Sequence, residues 1–538
     1  MKGIVVCEGP RAAEEGARVM EAGGNAFDAA IATSFVQMVI LPFSCGVGGM
    51  VSAHLYSAAR RDHWIIDGCL RAGSQVSEEM WAADCKGEAA VSGASIFADS
   101  RSTMGYTSVC TPGAVAALAE CHKRYGSMPW GELLEPAIRI AREGFPLTRS
   151  NRDLLVTPGA ACQPSGVERV SATRDSARIY LRPDGSVPEE GSTIRNPDYA
   201  DTLTQLAKEG PEDFYQGALA DVIAADLQKN GSFVTRQDLS EYQISSYRPY
   251  RTSYHGYDVY TNGPPGAGPL LIEALNVLDG LDLGKGEHGG ADYLKSLAPT
   301  LQLVNQDRRD FLGDPEVIGA ALSETLTSKQ RAKELQRAVL SGAVGTQAPP
   351  PEGPDTTHLV AVDTQGHVAS ITHSNGDYSG VVSPGMGFQY NNGMNRFDPR
   401  PGRASSFAPR KARLHLMMPS IAFQHGAPAV AFGAPGGNAI LSAMTQSFTN
   451  VVDFGMNATE AVSAPRIHAE ESTVWCESRI RADAVTALRE AGHKIIQDPN
   501  SHGWLFARAQ LVTIAPDGKL DGGSDPRRSD SGVAVARG

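Results

Sequence analysis

None of the eight cysteines forms a CxxC pair or keeps zinc-ligand spacing, so a cysteine-held zinc centre is excluded. In a chain of 538 residues the default for such cysteines is a reduced, mostly buried thiol, which favours a cytoplasmic protein. The 13 histidines contain no HExxH or similar ligand set. Gly46-Val47-Gly48-Gly49 lacks the full GxGxxG and the downstream acid of a dinucleotide site. Neither a metal nor an organic cofactor is therefore expected. Basic residues are fewer than acidic ones, 48 against 60, and no long basic run occurs, so nucleic acid is not an expected partner. The densest basic cluster, Arg396, Arg400, Arg403, Arg410, Lys411 and Arg413, reads either as a solvated loop or as an anion-facing rim. The longest apolar stretch, Ala29 to Phe43, contains Thr33, Ser34 and Gln37 and falls short of the ~20 residues of a membrane span. It reads as a buried helix, and no membrane association is expected. Glu8 and Arg11 interrupt the first apolar residues before they reach signal-peptide length, so no export signal is expected.

What is present is a globular, turn-rich composition. Apolar residues make up 41%, enough for a sizeable core, while 57 glycines and 33 prolines stay below the ~25–30% of low-complexity chains. Arg11 to Ala22 has helical spacing and stops at Gly23-Gly24, and Asn25 then caps the buried helix. Met50 to Tyr56 and Trp64 to Asp67 read as paired strands. Helices are expected over Ala114 to His122, Glu132 to Glu143, two across Tyr199 to Gln228, Leu270 to Leu278, and Lys329 to Leu340. With Pro158, Pro164, Pro183, Pro188 and Pro197, residues 146–200 read as loop-rich.

A seam lies near residue 355. Gly345, Pro349, Pro350, Pro351, Gly353 and Pro354 form a stiff, extended segment. Two alternating runs follow, His358 to Asp363 and His367 to His373, joined by Thr364-Gln365-Gly366, a hairpin signal. The segment ends on Asp355-Thr356-Thr357-His358. A threonine at a strand start is ordinary. A threonine freed as an N-terminus is not, because its hydroxyl is a nucleophile and its own α-amine, pKa near 7.7–8.0, is a general base. Downstream, Val430 to Asn438 reads as an apolar strand turning through Gly436-Gly437 into a helix, where free amides suit a developing oxyanion.

These segments together resemble the γ-glutamyltransferase (γ-glutamyltranspeptidase) family of N-terminal-nucleophile (Ntn) hydrolases. The resemblance spans nearly the whole chain. It is carried by Gly23-Gly24-Asn25-Ala26-Phe27-Asp28-Ala29-Ala30, Thr111-Pro112-Gly113 and Tyr125-Gly126-Ser127-Met128-Pro129, and continues with Glu143-Gly144-Phe145, Asp213-Phe214-Tyr215-Gln216-Gly217 and Leu312-Gly313-Asp314-Pro315. Thr356-Thr357-His358, Gly433-Ala434-Pro435-Gly436-Gly437, Ala464-Pro465-Arg466 and Ser524-Asp525-Pro526-Arg527 complete it, in the family's order. It implies an α+β fold, a four-layer αββα sandwich made as a proenzyme. Cleavage at Asp355–Thr356 would give a large chain, 1–355, and a small chain, 356–538, together one interwoven domain. Thr356 matches the family nucleophile, Thr357 and Ser374 match auxiliary hydroxyls, and Gly436 and Gly437 match the oxyanion pair.

The substrate-gripping positions depart from the family. Cys69 stands at the arginine that holds the γ-glutamyl α-carboxylate, and Arg71, two residues on, is the candidate substitute. His415 and Leu416 stand at two carboxylate-binding serines. On the α-amino side, Gly393 replaces a Gln or Glu and Arg396 replaces an Asp. A cation facing an ammonium is repulsive in a dry site. The expectation is therefore a self-cleaving threonine amidohydrolase or acyltransferase shifted away from γ-glutamyl, toward an acyl group whose anion meets Arg396. A true γ-glutamyl hydrolase or transpeptidase is the alternative, and a catalytically dead binding protein of the same fold is the alternative of another class. The shortened stretch from Phe397 to Lys411 implies an open site.

Overall fold

The computed structural model describes residues 1–87, 97, 99–159, 163–316, 324–342, 356–528 and 530–538, with 309–311 described by backbone alone. The proline-rich seam and Asp355 lie outside the described residues. Two antiparallel sheets dominate. The strands of both, in chain order, are β1 (Gly3–Glu8), β2 (Met50–Ser57), β3 (Asp62–Gly68), β4 (Ser245–Tyr247), β5 (Tyr250–Tyr254), β6 (Tyr257–Thr261), β7 (Thr356–Asp363), β8 (Val368–Ser374), β9 (Ser420–Gln424), β10 (Ala427–Gly433), β11 (Gln510–Ile514), β12 (Leu520–Ser524) and β13 (Ser531–Ala536). The first sheet runs β13-β1-β7-β8-β2-β3-β4, and the second runs β12-β11-β10-β9-β6-β5. In the first sheet β7 and β8 sit between β1 and β2 from before the seam, and in the second the strands from Thr356 onward, β12-β11-β10-β9, pair through β9 with β6 from before it. The residues on either side of position 355 are thus parts of one body.

The layering follows from the period-2 alternation of the strands. Ile4 and Val6 of β1, with Val360 and Val362 of β7, face Ile421 and Phe423 of β9, Ala431 of β10 and Val512 of β11 in one inter-sheet core. Val5, Cys7, Leu359 and Ala361 point the other way, against the helices α1 (Pro10–Glu21) and α2 (Ala26–Ile40). On the far side of the second sheet, Ala422, Val430 and Phe432 pack against α3 (Gly268–Asp279), α4 (Ala291–Phe311) and α5 (Ile440–Phe454). Helix, sheet, sheet, helix is the expected four-layer order. Each fully buried Val, Ile or Phe side chain in these layers contributes about 1.5–3 kcal/mol of transfer free energy.

Local signals hold where they are strong. Asn25 caps α2 with a full capping box shared with Asp28, and every residue of α2 is buried, which explains why its run carries no amphipathic stripe. The segment 146–200 is less loop-like than its prolines imply. It holds short helices Arg149–Val156, Gly166–Val170 and Arg174–Tyr180, each begun by a side-chain cap from Thr148, Ser165 or Thr173. The prolines bound these helices instead of preventing them.

Candidate active site

The site forms at one end of the two sheets, where β7 begins and β8 and β10 end. Thr356 opens β7 directly opposite Ser374, the last residue of β8. Their hydroxyls are 2.9 Å apart, and Ser374 Oγ also accepts from the Gly376 amide at 3.0 Å. Thr357 points to the opposite face by strand alternation. Its Oγ1 is buried and accepts from Gln37 Nε2 at 2.9 Å, while Gln37 Oε1 lies 2.8 Å from His373 Nε2. So Thr357 braces the start of β7 from behind, and Thr356 faces the cleft. Two histidines neighbour this pair in the strands. Burial pushes the pKa of both His358 and His373 down to about 3, so both rings are neutral near pH 7. Neither retains the basicity a general base needs.

The Gly-Gly turn approaches from β10. Gly436 has φ 143° and Gly437 φ 55°, a backbone region that side chains disfavour. A Cβ on Gly436 would also lie 2.2 Å from Ala507 Cβ. Gly437 begins the turn Gly437–Ala439 that leads into α5, where the first amides have no helical acceptor. Asn438 Oδ1 accepts from Arg308 Nη1 at 2.7 Å, and Arg308 is itself held by Glu470 at 2.5 Å. The Gly-Gly turn is thereby anchored to α4.

A cleft of about 590 Å³, its open mouth included, joins these parts. Its lining includes Thr356, Ser374, Gly437, Arg308, Arg396, Arg413, Asp377, Asn395, His415 and Leu416. Three guanidinium groups thus face one lining carboxylate, with Glu470 behind Arg308. Burial first, then Arg413 and Arg308, pushes the Arg396 pKa down to about 9. Burial likewise pushes Arg413 down to about 10. Lowered values for cations mean that the fold holds these charges against a cost, which an anion would relieve. Arg413 Nε is a buried donor with no hydrogen-bond partner among the described residues.

The sequence-based assignments sort clearly. Thr356, Ser374, Gly437, Arg396 and His415 meet in the cleft. Gly436 and Thr357 stand immediately behind it. Arg71 does not join them. It bridges Thr111 and Ala412 by its backbone, and its guanidinium donates to the Arg410 carbonyl. Arg71 is therefore outside the lining of this cleft. Cys69, two residues before it, is a buried thiol whose pKa burial pushes up to about 12, which keeps it neutral. Gly393 is closed off, since a Cβ there would sit 2.7 Å from Cys110 Sγ and 2.8 Å from Leu70. His415 Nε2 lies 3.1 Å from Asp67 Oδ2, both side chains fully buried. Of the anion-facing rim read from the sequence, Arg396 and Arg413 enter the cleft. Arg400 and Arg403 pair with Asp398, and Arg410 with Asp238 and Glu241. Arg308 and Asp377 carried no local signal and emerge only from the fold.

The family model of γ-glutamyltranspeptidases matches residues 12–535. The chain belongs to the γ-glutamyltranspeptidase family. Among its relatives, the acylase ACY 1 proenzyme of Pseudomonas sp. (strain V22) is 32% identical, covering 100% of this chain and 94% of that protein. The glutathione hydrolase proenzyme of Escherichia coli (strain K12) is 28% identical over 98% of this chain and 91% of its own length. Among solved structures, the cephalosporin acylase from Bacillus halodurans superposes with a TM-score of 0.88 at 30% identity, covering 100% of this chain and 96% of that one. The protein is thus an enzyme of the Ntn class, a hydrolase or acyltransferase made as a proenzyme, and the reading as a dead binding protein falls away. Among the described residues, no helix is long and apolar enough to cross a membrane. No cluster of three or more His, Cys, Asp or Glu side chains there could hold a metal ion.

Proposed function

We propose that this γ-glutamyltranspeptidase-family enzyme cleaves itself between Asp355 and Thr356 and then hydrolyses amides whose acyl group carries a carboxylate but no α-ammonium. The observation that carries the reading is the position of Thr356 Oγ1, 2.9 Å from Ser374 Oγ, in a cleft lined by Arg308, Arg396 and Arg413. In the precursor, the Thr356 hydroxyl attacks the Asp355 carbonyl, and water releases the large chain, 1–355, from the small chain, 356–538. In the processed enzyme the freed α-amine of Thr356 takes the hydroxyl proton as the oxygen attacks the substrate carbonyl. The Gly436 and Gly437 amides hold the resulting oxyanion. The amine returns its proton to the leaving nitrogen, an ester remains on Thr356, and water hydrolyses it to the acid. Ser374 orients the attacking oxygen.

Two anilides test the substrate assignment, because γ-glutamyl anilide and glutaryl anilide differ only by the α-ammonium. Glutaryl anilide is expected to have a kcat/KM higher by at least about tenfold, since an ammonium beside Arg396 is repelled. One observation favours the γ-glutamyl reading: Asp377 also lines the cleft and offers a carboxylate to an ammonium. A preference for γ-glutamyl anilide would decide for it.

The pH profile follows from the base. A neutral α-amine is required, so kcat/KM should rise with pH through one ionisation and level off above it. For an isolated α-amine that limb falls near pH 7.7–8.0. The guanidinium groups of the cleft disfavour an ammonium, so the limb is expected below pH 7.7, measured on glutaryl anilide. A limb at or above pH 8 would contradict a base in this surrounding.

The cytoplasmic assignment rests on the cysteines. Cys7, Cys45, Cys69, Cys85, Cys110, Cys121 and Cys476 are free thiols, and all but Cys85 are buried.

A further inference from the structure

The nucleophile is held from the opposite end of the chain. Glu8, the last residue of β1, forms a buried ion pair with Arg508, 500 residues away. Arg508 Nη2 donates to the Thr356 carbonyl at 3.0 Å, and the Arg508 amide donates to the Pro435 carbonyl at 2.9 Å, just before the oxyanion glycines. Its neighbour Ala507 is the residue against which Gly436 packs. Glu8 has a second arm. Its backbone carbonyl accepts from Gln37 Nε2 at 2.7 Å, and the same nitrogen donates to Thr357 Oγ1 at 2.9 Å. Glu8, Gln37 and Arg508 are all buried. No carbonyl or hydroxyl on this path is the reacting atom, so none of these side chains is catalytic in the strict sense.

We propose that Glu8 is a positioning residue for the nucleophile, acting through Arg508 on Thr356 and the oxyanion loop and through Gln37 on Thr357. The proposal rests on the reading of Thr356 as the nucleophile. It gives the large chain a hold on the new N-terminus of the small chain, direct at Thr357 through Gln37 and indirect at Thr356 through Arg508, itself in the small chain. Cleavage frees the α-amine and removes the covalent tether on that side. The carbonyl of Thr356 and the hydroxyl of Thr357 then fix the residue's direction toward Gly436 and Gly437. An ion pair suits this task because the Arg508 fork reaches Glu8 and the Thr356 carbonyl together.

The pair also sets the charge beside the α-amine. The ionisable groups around Thr356 are Arg508 and Glu8 behind it, Arg308, Arg396, Arg413 and Asp377 across the cleft, Glu470 behind Arg308, and the neutral His358 and His373 in the strands. Neutralising Glu8 leaves the Arg508 cation uncompensated and disfavours the ammonium. Neutralising Arg508 leaves the Glu8 anion and favours it.

Steady-state kinetics of the processed enzyme on glutaryl anilide, or on whichever anilide it prefers, test this. Glu8→Gln keeps the shape and the backbone carbonyl. It is expected to lower kcat about a hundredfold, with KM within about twofold, as for a misplacement near 1 Å. Its acid limb in kcat/KM should move to lower pH. Arg508→Met should lower kcat similarly and move the limb to higher pH, while Arg508→Lys should leave the limb in place. A merely structural role would not move the limb in opposite directions. Wild-type kcat in Glu8→Gln, or limb shifts of the same sign in the two charge variants, would overturn the proposal. Should the charge variants fail to accumulate, Gln37→Leu leaves the ion pair intact and reads the second arm. A fall in kcat with KM retained supports the proposal, and wild-type kcat overturns it. Thr356→Ala separates this from the parent reading: an active Thr356→Ala sinks the nucleophile itself. An inactive Thr356→Ala beside an unaffected Glu8→Gln sinks only the positioning role.

Discussion

A Thr356→Ala chain is expected to remain a single 57.0 kDa polypeptide and to turn over no amide. The wild-type chain should separate into two pieces, the smaller about one third of the mass. Both effects have one cause. The hydroxyl that attacks the Asp355 carbonyl is the hydroxyl that later attacks the substrate, so its loss removes processing and catalysis together. Loss of a nucleophile that acts as a unit with its base costs on the order of 10⁶ in kcat. His358 and His373 cannot compensate, since both are fully buried and, with pKa values pushed down to about 3, only weakly basic. The fold itself should survive. Thr356 Oγ1 makes its one described hydrogen bond to Ser374, and the strand pairing of β7 uses backbone groups. Circular dichroism of Thr356→Ala should therefore match the precursor's β content. An uncut chain that still hydrolyses the preferred anilide would separate processing from catalysis and contradict the single-hydroxyl account.

Arg396→Asp carries the second large effect. The side chain lies in the cleft with Arg308 and Arg413, where burial and these neighbours already press on its charge. A carboxylate-bearing acyl group relieves that pressure, and an aspartate in its place repels the same group. Removing one partner of a desolvated charge pair costs about 2–5 kcal/mol, so kcat/KM for glutaryl anilide should fall by a factor of about 30 to a few thousand. For γ-glutamyl anilide the new acid attracts the α-ammonium, which offsets the loss, and the preference between the two anilides should narrow or invert. Processing should be unaffected, because Arg396 acts on the acyl group and not on the Asp355–Thr356 bond. If Arg396→Asp leaves the ratio of the two anilides unchanged, Arg396 does not face the acyl group, and the cationic cleft serves another purpose.

The parts of this site that were legible in the sequence are those with a short-range physical cause. Thr356 stands where a proline-rich segment meets an alternating strand. Gly436 and Gly437 stand where an apolar strand must turn sharply into a helix. Asn25 and the buried run of α2 announce themselves by capping and composition. The four layers were legible only through the family resemblance, while the alternation of β7 and β8 and the apolar run of β10 marked those strands locally. What stayed hidden is what the fold alone brings together. Glu8 and Arg508 are 500 residues apart and leave no local pattern. Arg308 sits within α4, a helix not among those expected from the sequence, yet its guanidinium donates to Asn438 beside the Gly-Gly turn. Asp377 lies in a turn after β8 and reaches the cleft only because that strand ends beside Thr356. Arg71 is a case of the same kind: its position in the sequence suggested the cleft, but its guanidinium donates to the Arg410 carbonyl and does not line the cleft. The caps that begin the helices of residues 149–180 were present as Thr148, Ser165 and Thr173, and the prolines around them masked the signal.

The most direct test of acyl transfer through an N-terminal Thr356 is the mass and N-terminal sequence of the small fragment, taken before and during turnover of a slow glutaryl amide. The expected fragment begins Thr356-Thr357-His358-Leu359 and gains the mass of one glutaryl group, lost again as the acid is released. A fragment that begins elsewhere, or an acyl group found on residues 1–355 while turnover continues, would contradict the account.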